Sequence, residues 1–133
     1  MNPLSSLTIT SLFNRSVRDF STMPAVGYVG ETHFTYKEFG EHVKHCSDVL
    51  VHCGVAPGDR VAIIGESSPY WGIAYFAITT MGCVAVPILP DFHTTEIHHI
   101  IRHAECSAIF VSERLSAKLD DIDRSPFLAF IIS

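Results

Sequence analysis

The sequence predicts an α/β fold: a parallel sheet flanked by helices, with a short β-hairpin towards the N-terminus. Residues 61–64, Val-Ala-Ile-Ile, are an apolar run without polar alternation, which is typical of a strand buried on both faces of a sheet. Helical periodicity occurs on both sides of this run, at residues 36–50 and 69–81. Further short apolar segments at residues 84–88 and 107–111 each follow a helical pattern, as crossovers between parallel strands require.

Length and composition predict one domain or a part of a larger one. The 133 residues, 14.7 kDa, suffice for a single core. The formal net charge is −5 and the nine Lys and Arg residues are scattered, so no basic stripe is present that would bind nucleic acid. Four cysteines form no C-x-x-C pair and the N-terminus lacks a signal-peptide pattern, which together predict reduced thiols in the cytoplasm.

An uncharged run at residues 67–90 has about the length of a membrane span. Gly72, Gly82 and Pro87 interrupt it, and its second half has the pattern of a strand. We therefore expect no transmembrane segment.

The N-terminal elements are a predicted arm and a hairpin. Residues 1–24 form the arm, which contains a short helix from about Ser11 to Phe20. Residues 25–29 and 32–35, separated by Gly30-Glu31, predict the two strands of the hairpin.

A capping box begins the next helix, with Thr35 as N-cap and Glu38 at the N3 position. Gly54 is its expected C′ residue. The side chains predicted to form its buried stripe are Tyr36, Phe39, Val43, Cys46 and Leu50.

The helix after the central strand begins with Ser68 as N-cap and Pro69 at the first helical position. It is apolar nearly all round as far as Met81, which predicts burial on more than one side, and Gly82 ends it. A strand at residues 84–88 follows.

The C-terminal third repeats the alternation of helix and strand. Thr94 or Thr95 is expected to begin a helix, Ser107–Val111 is a strand, and Ser112 caps a short helix to about Leu119. The inner face of the first of these helices is predicted to be Ile97, Ile100, Ile101 and Ala104. Residues 120–123 are an acidic turn before a strand at 127–132.

That last strand runs to the end of the sequence without a following crossover helix or partner strand. We therefore expect the 133 residues to be an N-terminal piece of a longer chain, a view that the high mean hydropathy of +0.27 favours. A piece of this kind is expected to self-associate through exposed apolar surface.

Two clusters of histidine and cysteine could suggest a metal site. They are His99, His103 and Cys106 on one predicted helix, and His42, His45 and Cys46 on another. Neither offers a fourth ligand at a usual spacing, so we interpret both as polar helix faces and predict no structural metal.

Signatures of catalysis are weak. Gly65-Glu66-Ser67-Ser68-Pro69 resembles the G-x-S-x-G nucleophile elbow, but Pro69 replaces the final glycine and Ser68 is explained as an N-cap. Neither G-x-G-x-x-G nor G-x-x-x-x-G-K-[ST] occurs. The residues alone leave open a self-contained, flavodoxin-like binding module without enzymatic activity.

Five motifs in order carry a family resemblance. They are Thr35-Tyr36-Lys37-Glu38-Phe39, Gly54-Val55-Ala56-Pro57-Gly58-Asp59-Arg60-Val61-Ala62-Ile63, Pro69-Tyr70-Trp71, Gly82-Cys83-Val84-Ala85-Val86-Pro87, and Glu96-Ile97 through Ile100-Ile101. In this order the sequence resembles the N-terminal segment of the adenylate-forming (AMP-binding) superfamily, and Ser68-Pro69-Tyr70-Trp71 is most similar to its long-chain fatty acid CoA ligase branch. Cys83 and residues 88–93 depart from the usual pattern.

The resemblance implies that residues 25–133 are the N-terminal part of an AMP-binding α/β domain. The parent protein would be an AMP-forming acid–thiol ligase that uses ATP, Mg²⁺ and coenzyme A to activate a carboxylic acid through an acyl-adenylate. The catalytic motifs of this family lie downstream of the matching segment. No residue of the chain is therefore assigned a catalytic, cofactor-binding or metal-binding role, and the 133 residues alone are expected to be inactive.

Overall fold

The computed structural model describes residues 6–123 and 127–132, which alternate between helices and strands as expected. The helices are α1 (Ile9–Asp19), α2 (Tyr36–His52), α3 (Pro69–Thr80) and α4 (Thr94–Ala104), with a 3₁₀ helix at Glu113–Leu119. The strands are β1 (Pro24–Val26), β2 (Phe34–Thr35), β3 (Arg60–Ile64), β4 (Val84–Ile88), β5 (Ala108–Ser112) and β6 (Leu128–Ile132).

The main sheet has four parallel strands in the order β4-β3-β5-β6. Val61 of β3 lies opposite Ala85 of β4 on one side and Ala108 of β5 on the other. The chain thus moves outward from β3 to β4 and then crosses back past β3 to reach β5. Because such crossovers are right-handed, this reversal requires the two connecting helices to cover opposite faces.

Both faces of the sheet are covered, which explains why β3 is apolar throughout. Val61 and Ile63 pack in a cluster with Ala74 and Ile78 of α3, whereas the alternate residues of β3 face α4 on the other side. The α4 side of the core includes Ala62, Ile64, Ile97, Ile101, Ile109 and Val111. The predicted parallel α/β core is confirmed.

Helix α3 is buried on two sides, as its sequence indicates. Its residues Ile73 and Ala77 pack away from the sheet in a further cluster with Phe13 of α1 and Phe39 of α2. The Phe13 ring stacks on Phe76 with 4.9 Å between ring centroids. Helix α1 is therefore integrated with the helical layer, while the division of the chain at residue 24 stays a prediction.

The predicted helix ends follow local rules. The Thr35 hydroxyl accepts a hydrogen bond from the Glu38 amide at 3.2 Å, and the Thr35 amide donates to the Glu38 carboxylate at 3.0 Å. Gly54, just past the end of α2, has a φ of +91°. The Ser68 hydroxyl accepts from the Trp71 amide at 3.2 Å, so its role as N-cap of α3 is confirmed.

One local prediction is wrong. The hairpin strands are shorter than residues 25–29 and 32–35, because the connection folds on itself and packs the His33 ring against Gly27. Helix α4 begins at Thr94, one of the two predicted first residues, and its N-cap is His93, whose amide donates to the Glu96 carboxylate at 3.3 Å. Ser112 is at the N-cap position of the helix that follows, which ends at Leu119 as predicted, but this helix is 3₁₀ and the Ser112 hydroxyl makes no capping hydrogen bond to it.

No helix among the described residues is long and apolar enough to cross a membrane. Of the uncharged run at residues 67–90, only the twelve residues of α3 are helical.

Candidate functional site

The carboxyl ends of β3 and β5 meet at the point where the strand order reverses. These two strands are neighbours, but α3 leaves β3 on one face of the sheet, while α4 enters β5 from the other. In open parallel sheets, ligands bind in the crevice that forms outside the strands at such a switch point. This edge of the sheet is therefore the candidate functional site.

Two turns form the floor and sides of a cleft at this edge, which we call the switch-point cleft. One is the turn Gly65–Ser68 after β3, and the other is the junction Ser112–Arg114, where β5 ends and the 3₁₀ helix begins. The cleft has a volume of about 410 Å³, a size that suits a small molecule. Its other lining residues are Tyr28, Tyr70 and Ile132.

One ion pair spans the cleft. The Arg114 Nε donates to Glu66 Oε1 at 2.5 Å, and the two side chains are 70% and 39% exposed, respectively. Three groups hold the pKa of Glu66 below its usual value. The largest effect is a hydrogen bond from the backbone amide of Glu66 itself, followed by the Ser112 hydroxyl and then Arg114. The Glu66 carboxylate is therefore ionised at neutral pH.

The hydroxyl groups in the cleft are not arranged for nucleophilic catalysis. Ser68 is committed to capping α3, and Ser67, at the serine position of the elbow-like sequence, is exposed. No histidine is among the described residues that line the cleft. The buried Ser112 Oγ lies near Glu66 but has no hydrogen bond of normal geometry to the described protein. Among the described lining residues, a serine nucleophile here would therefore have no imidazole as its general base.

The structure separates the cysteine from the histidines in the first predicted cluster. His99 and His103 are exposed on the outer face of α4 with ring centroids 5.7 Å apart, whereas Cys106 is buried in the core on the α4 side. Burial raises the pKa of the Cys106 thiol, an effect that the charge of Arg60 partly opposes.

The second cluster is also divided. His42 packs its ring against Phe34 at 4.9 Å, and His45 is exposed. Cys46 packs inward, where burial raises the pKa of its thiol to about 11. Across residues 6–123 and 127–132, no group of three or more potential metal ligands converges. That the histidines hold no structural metal stays a prediction.

Sequence reasoning identified the turn after β3 but missed its partners Ser112, Arg114 and Tyr28. Arg114 is 48 residues from Glu66 in the chain, and nothing in a single sequence pairs them. The available signal was that both turns follow buried strands, because the carboxyl ends of parallel strands lie at one edge of a sheet.

A parallel α/β scaffold with a polar cleft at its switch point defines a class of ligand-binding domain. Comparison with known families refines this: residues 13–129 match the family described as AMP-binding enzyme. The chain belongs to this family.

Related proteins include both peptide synthetases and acyl-CoA synthetases. Surfactin synthase subunit 2 of Bacillus subtilis (strain 168) is 28% identical over 109 residues, which is 82% of this chain and 3% of that protein. Long chain acyl-CoA synthetase 2 of Arabidopsis thaliana is 34% identical over 83 residues, 62% of this chain and 12% of that protein. The chain thus spans a small fraction of these curated relatives.

Among solved structures, the Mycobacterium tuberculosis fatty acyl CoA synthetase superposes with a TM-score of 0.86 at 20% identity. The match covers 94% of this chain and 26% of that one. At this identity the similarity establishes the fold: the sheet, its flanking helices and the hairpin correspond to the N-terminal part of an acyl-CoA synthetase.

Proposed function

We propose that this chain is the N-terminal scaffold of an AMP-forming acid–thiol ligase that activates a carboxylic acid, of the fatty acid type, through an acyl-adenylate. The observation that carries the proposal is the family match over residues 13–129. The reaction has two steps. ATP and the acid give the acyl-adenylate and pyrophosphate, and the thiol of coenzyme A then displaces AMP. We propose the cytoplasm as its location.

The switch-point cleft does not fit the triphosphate of ATP. Its one guanidinium, on Arg114, is already paired with Glu66, and a second carboxylate, that of Glu113, lines the same cleft. Polyphosphates require several backbone amides, a lysine or Mg²⁺ to offset their charge. We therefore assign the ATP, Mg²⁺ and coenzyme A sites to other parts of a longer polypeptide and derive no catalytic step from the described residues.

The role that remains for this chain is positioning. Helix α3 packs on the sheet through Ala74 and Ile78 and on α1 and α2 through Ile73 and Ala77, so it forms a rigid wall. A wall of this kind can hold neighbouring subdomains in fixed positions and exclude water from the acyl-adenylate, which is a reactive mixed anhydride. The fatty acid type is supported by the similarity to long chain acyl-CoA synthetase 2, while the similarity to surfactin synthase leaves amino acid activation as the competing substrate class.

A non-enzymatic, flavodoxin-like binding module was the alternative left open by the residues alone. The family match favours the ligase, because the matched family is one of enzymes and the match spans most of the chain.

Two measurements test the proposal together. The full-length protein from the natural reading frame is assayed for exchange of pyrophosphate into ATP with fatty acids of different lengths and with amino acids. We expect exchange only with fatty acids. Exchange with amino acids alone would refute the fatty acid assignment, and a protein inert toward every acid would refute the ligase.

The second measurement is calorimetric titration of the 133-residue chain with Mg-ATP. We expect no binding in the micromolar range, because no cation in the described part of the cleft is available for the phosphates. Micromolar binding would refute the scaffold role.

A further inference from the structure

The outer face of α4 presents two histidines that no other part of the described structure uses. His99 and His103 are exposed and make no hydrogen bond or ion pair with another described residue. The helix is anchored from its opposite face by Ile97 and Ile101, which are 0% and 2% exposed. Folding of α4 therefore does not depend on the two imidazoles.

The spacing of the pair suits chelation of one metal ion. Residues four apart lie one turn apart on a helix, offset by roughly 40° around its axis, so both imidazoles leave the same face. A metal at about 2.0–2.1 Å from one nitrogen of each ring requires ring centroids less than about 6.5 Å apart. The observed centroid separation is 5.7 Å, and because the two rings are stacked with 17° between their planes, chelation requires these exposed side chains to rotate until one nitrogen of each ring points at the same ion.

The surroundings of the pair are open and include a carboxylate. Glu96 lies one turn before His99 on the same stripe, and both residues line an open groove with Phe92, Thr95 and Ile100. Glu96 uses one oxygen to accept from the His93 amide, which leaves the other oxygen accessible. Its negative charge favours a cation and offsets the positive charge of Arg102 nearby on the helix.

We propose that His99 and His103 form a labile surface site for a borderline divalent transition-metal ion. Two imidazoles leave the remaining coordination positions to water, because among the described residues no third histidine, cysteine or carboxylate converges with the pair. Such a site differs from a structural zinc site, which closes with four protein ligands and contributes to folding. Imidazole sites follow the general order of divalent metals, so Cu²⁺ binds more tightly than Ni²⁺ or Zn²⁺.

The test compares two variants of the 133-residue chain, produced without a polyhistidine tag. His99→Gln/His103→Gln removes the pair, and His42→Gln/His45→Gln removes the same number of histidines from α2, where His42 is engaged with Phe34. Titration with CuCl₂, NiCl₂ or ZnCl₂ by calorimetry measures affinity, and the Cu²⁺ EPR spectrum reports the number of nitrogen ligands. Circular dichroism verifies that each variant is folded.

We expect the wild type and the α2 variant to bind one Cu²⁺ through two nitrogens and to gain thermal stability from it. The α4 variant should lose about tenfold or more in Cu²⁺ affinity, because both imidazoles of the chelate are removed. The single variant His103→Gln should lose a similar factor. Equal Cu²⁺ affinity in the wild type and the α4 variant would overturn the proposal, as would an equal loss in the α2 variant.

Discussion

Replacing Gly72 by alanine should stabilise the protein, although the position lies in a tightly packed helix. Gly72 is in the interior of α3, where glycine is less favourable than alanine by about 0.8–1.0 kcal/mol. A Cβ at this position would lie 3.6 Å from Cζ and 3.8 Å from Cε2 of Phe39, which is ordinary van der Waals contact. The new methyl group therefore adds contact without a clash, and we expect a gain of about 1 kcal/mol in the free energy of unfolding.

Urea denaturation followed by circular dichroism measures this gain, which should raise the midpoint without changing the slope. For a protein of this size the corresponding rise in Tm is roughly 3–5 °C. A midpoint below that of the wild type would refute the reasoning.

Two other glycines provide matched controls. Gly40 is also inside a helix, but its Cβ would meet Cγ1 of Val17 at 2.9 Å, so Gly40→Ala should not gain stability. Gly54 has open space around its Cβ but a φ of +91°, so Gly54→Ala should cost about 1–2 kcal/mol. If all three substitutions had the same effect, neither contact distance nor backbone conformation would explain it.

Three further expectations concern a cap, a carboxylate and the thiols, and a fourth concerns assembly. Thr35→Ala should lower the free energy of unfolding by about 1 kcal/mol, measured by urea denaturation, because it removes the hydroxyl that caps α2. The pKa of Glu66 is lower in the folded state, so its ionised form stabilises the fold above the usual carboxyl pKa, and this stabilisation is lost as the pH falls through the folded-state pKa. Glu66→Gln should therefore flatten the dependence of the free energy of unfolding on pH in this range. The effect should be at most about 1 kcal/mol, because the ion pair with Arg114 is largely exposed. Iodoacetamide at pH 8 should modify the exposed Cys53 well before Cys46, because burial raises the pKa of the Cys46 thiol. Mass spectrometry after brief labelling measures the order, and modification of Cys46 first would contradict the prediction. Light scattering should detect a dimer or larger species, because the large apolar side chains of Leu128 and Ile131 are exposed on the outer strand β6; a clean monomer would count against it.

The sequence by itself determined most of the elements and the class of fold. Thr35 with Glu38 begins α2, and Ser68 with Pro69 begins α3, as predicted. These features are local: a cap requires only residues three or four apart, and the apolar run at 61–64 reveals burial on both faces without reference to distant partners. The family also followed from motifs in sequence order, because their spacing is a one-dimensional property.

Local rules did not give the length of the hairpin strands or the N-cap of α4. This helix begins at Thr94 as predicted, but its N-cap is His93, whose amide donates to the Glu96 side chain. The hairpin strands are shorter than predicted because His33 folds back onto Gly27. In each case the feature depends on a side chain that simple propensity rules do not consider.

Only the tertiary structure decided which strands are neighbours, and that decision created the candidate site. The order β4-β3-β5-β6 brings the turn after β3 beside the turn after β5, and so pairs Glu66 with Arg114. It also buries Cys106 in the core while His99 and His103 remain on the outer face of α4. Hydrophobic periodicity specifies which side of each element is buried but not which partner buries it, because any apolar face satisfies that requirement until all the elements pack together.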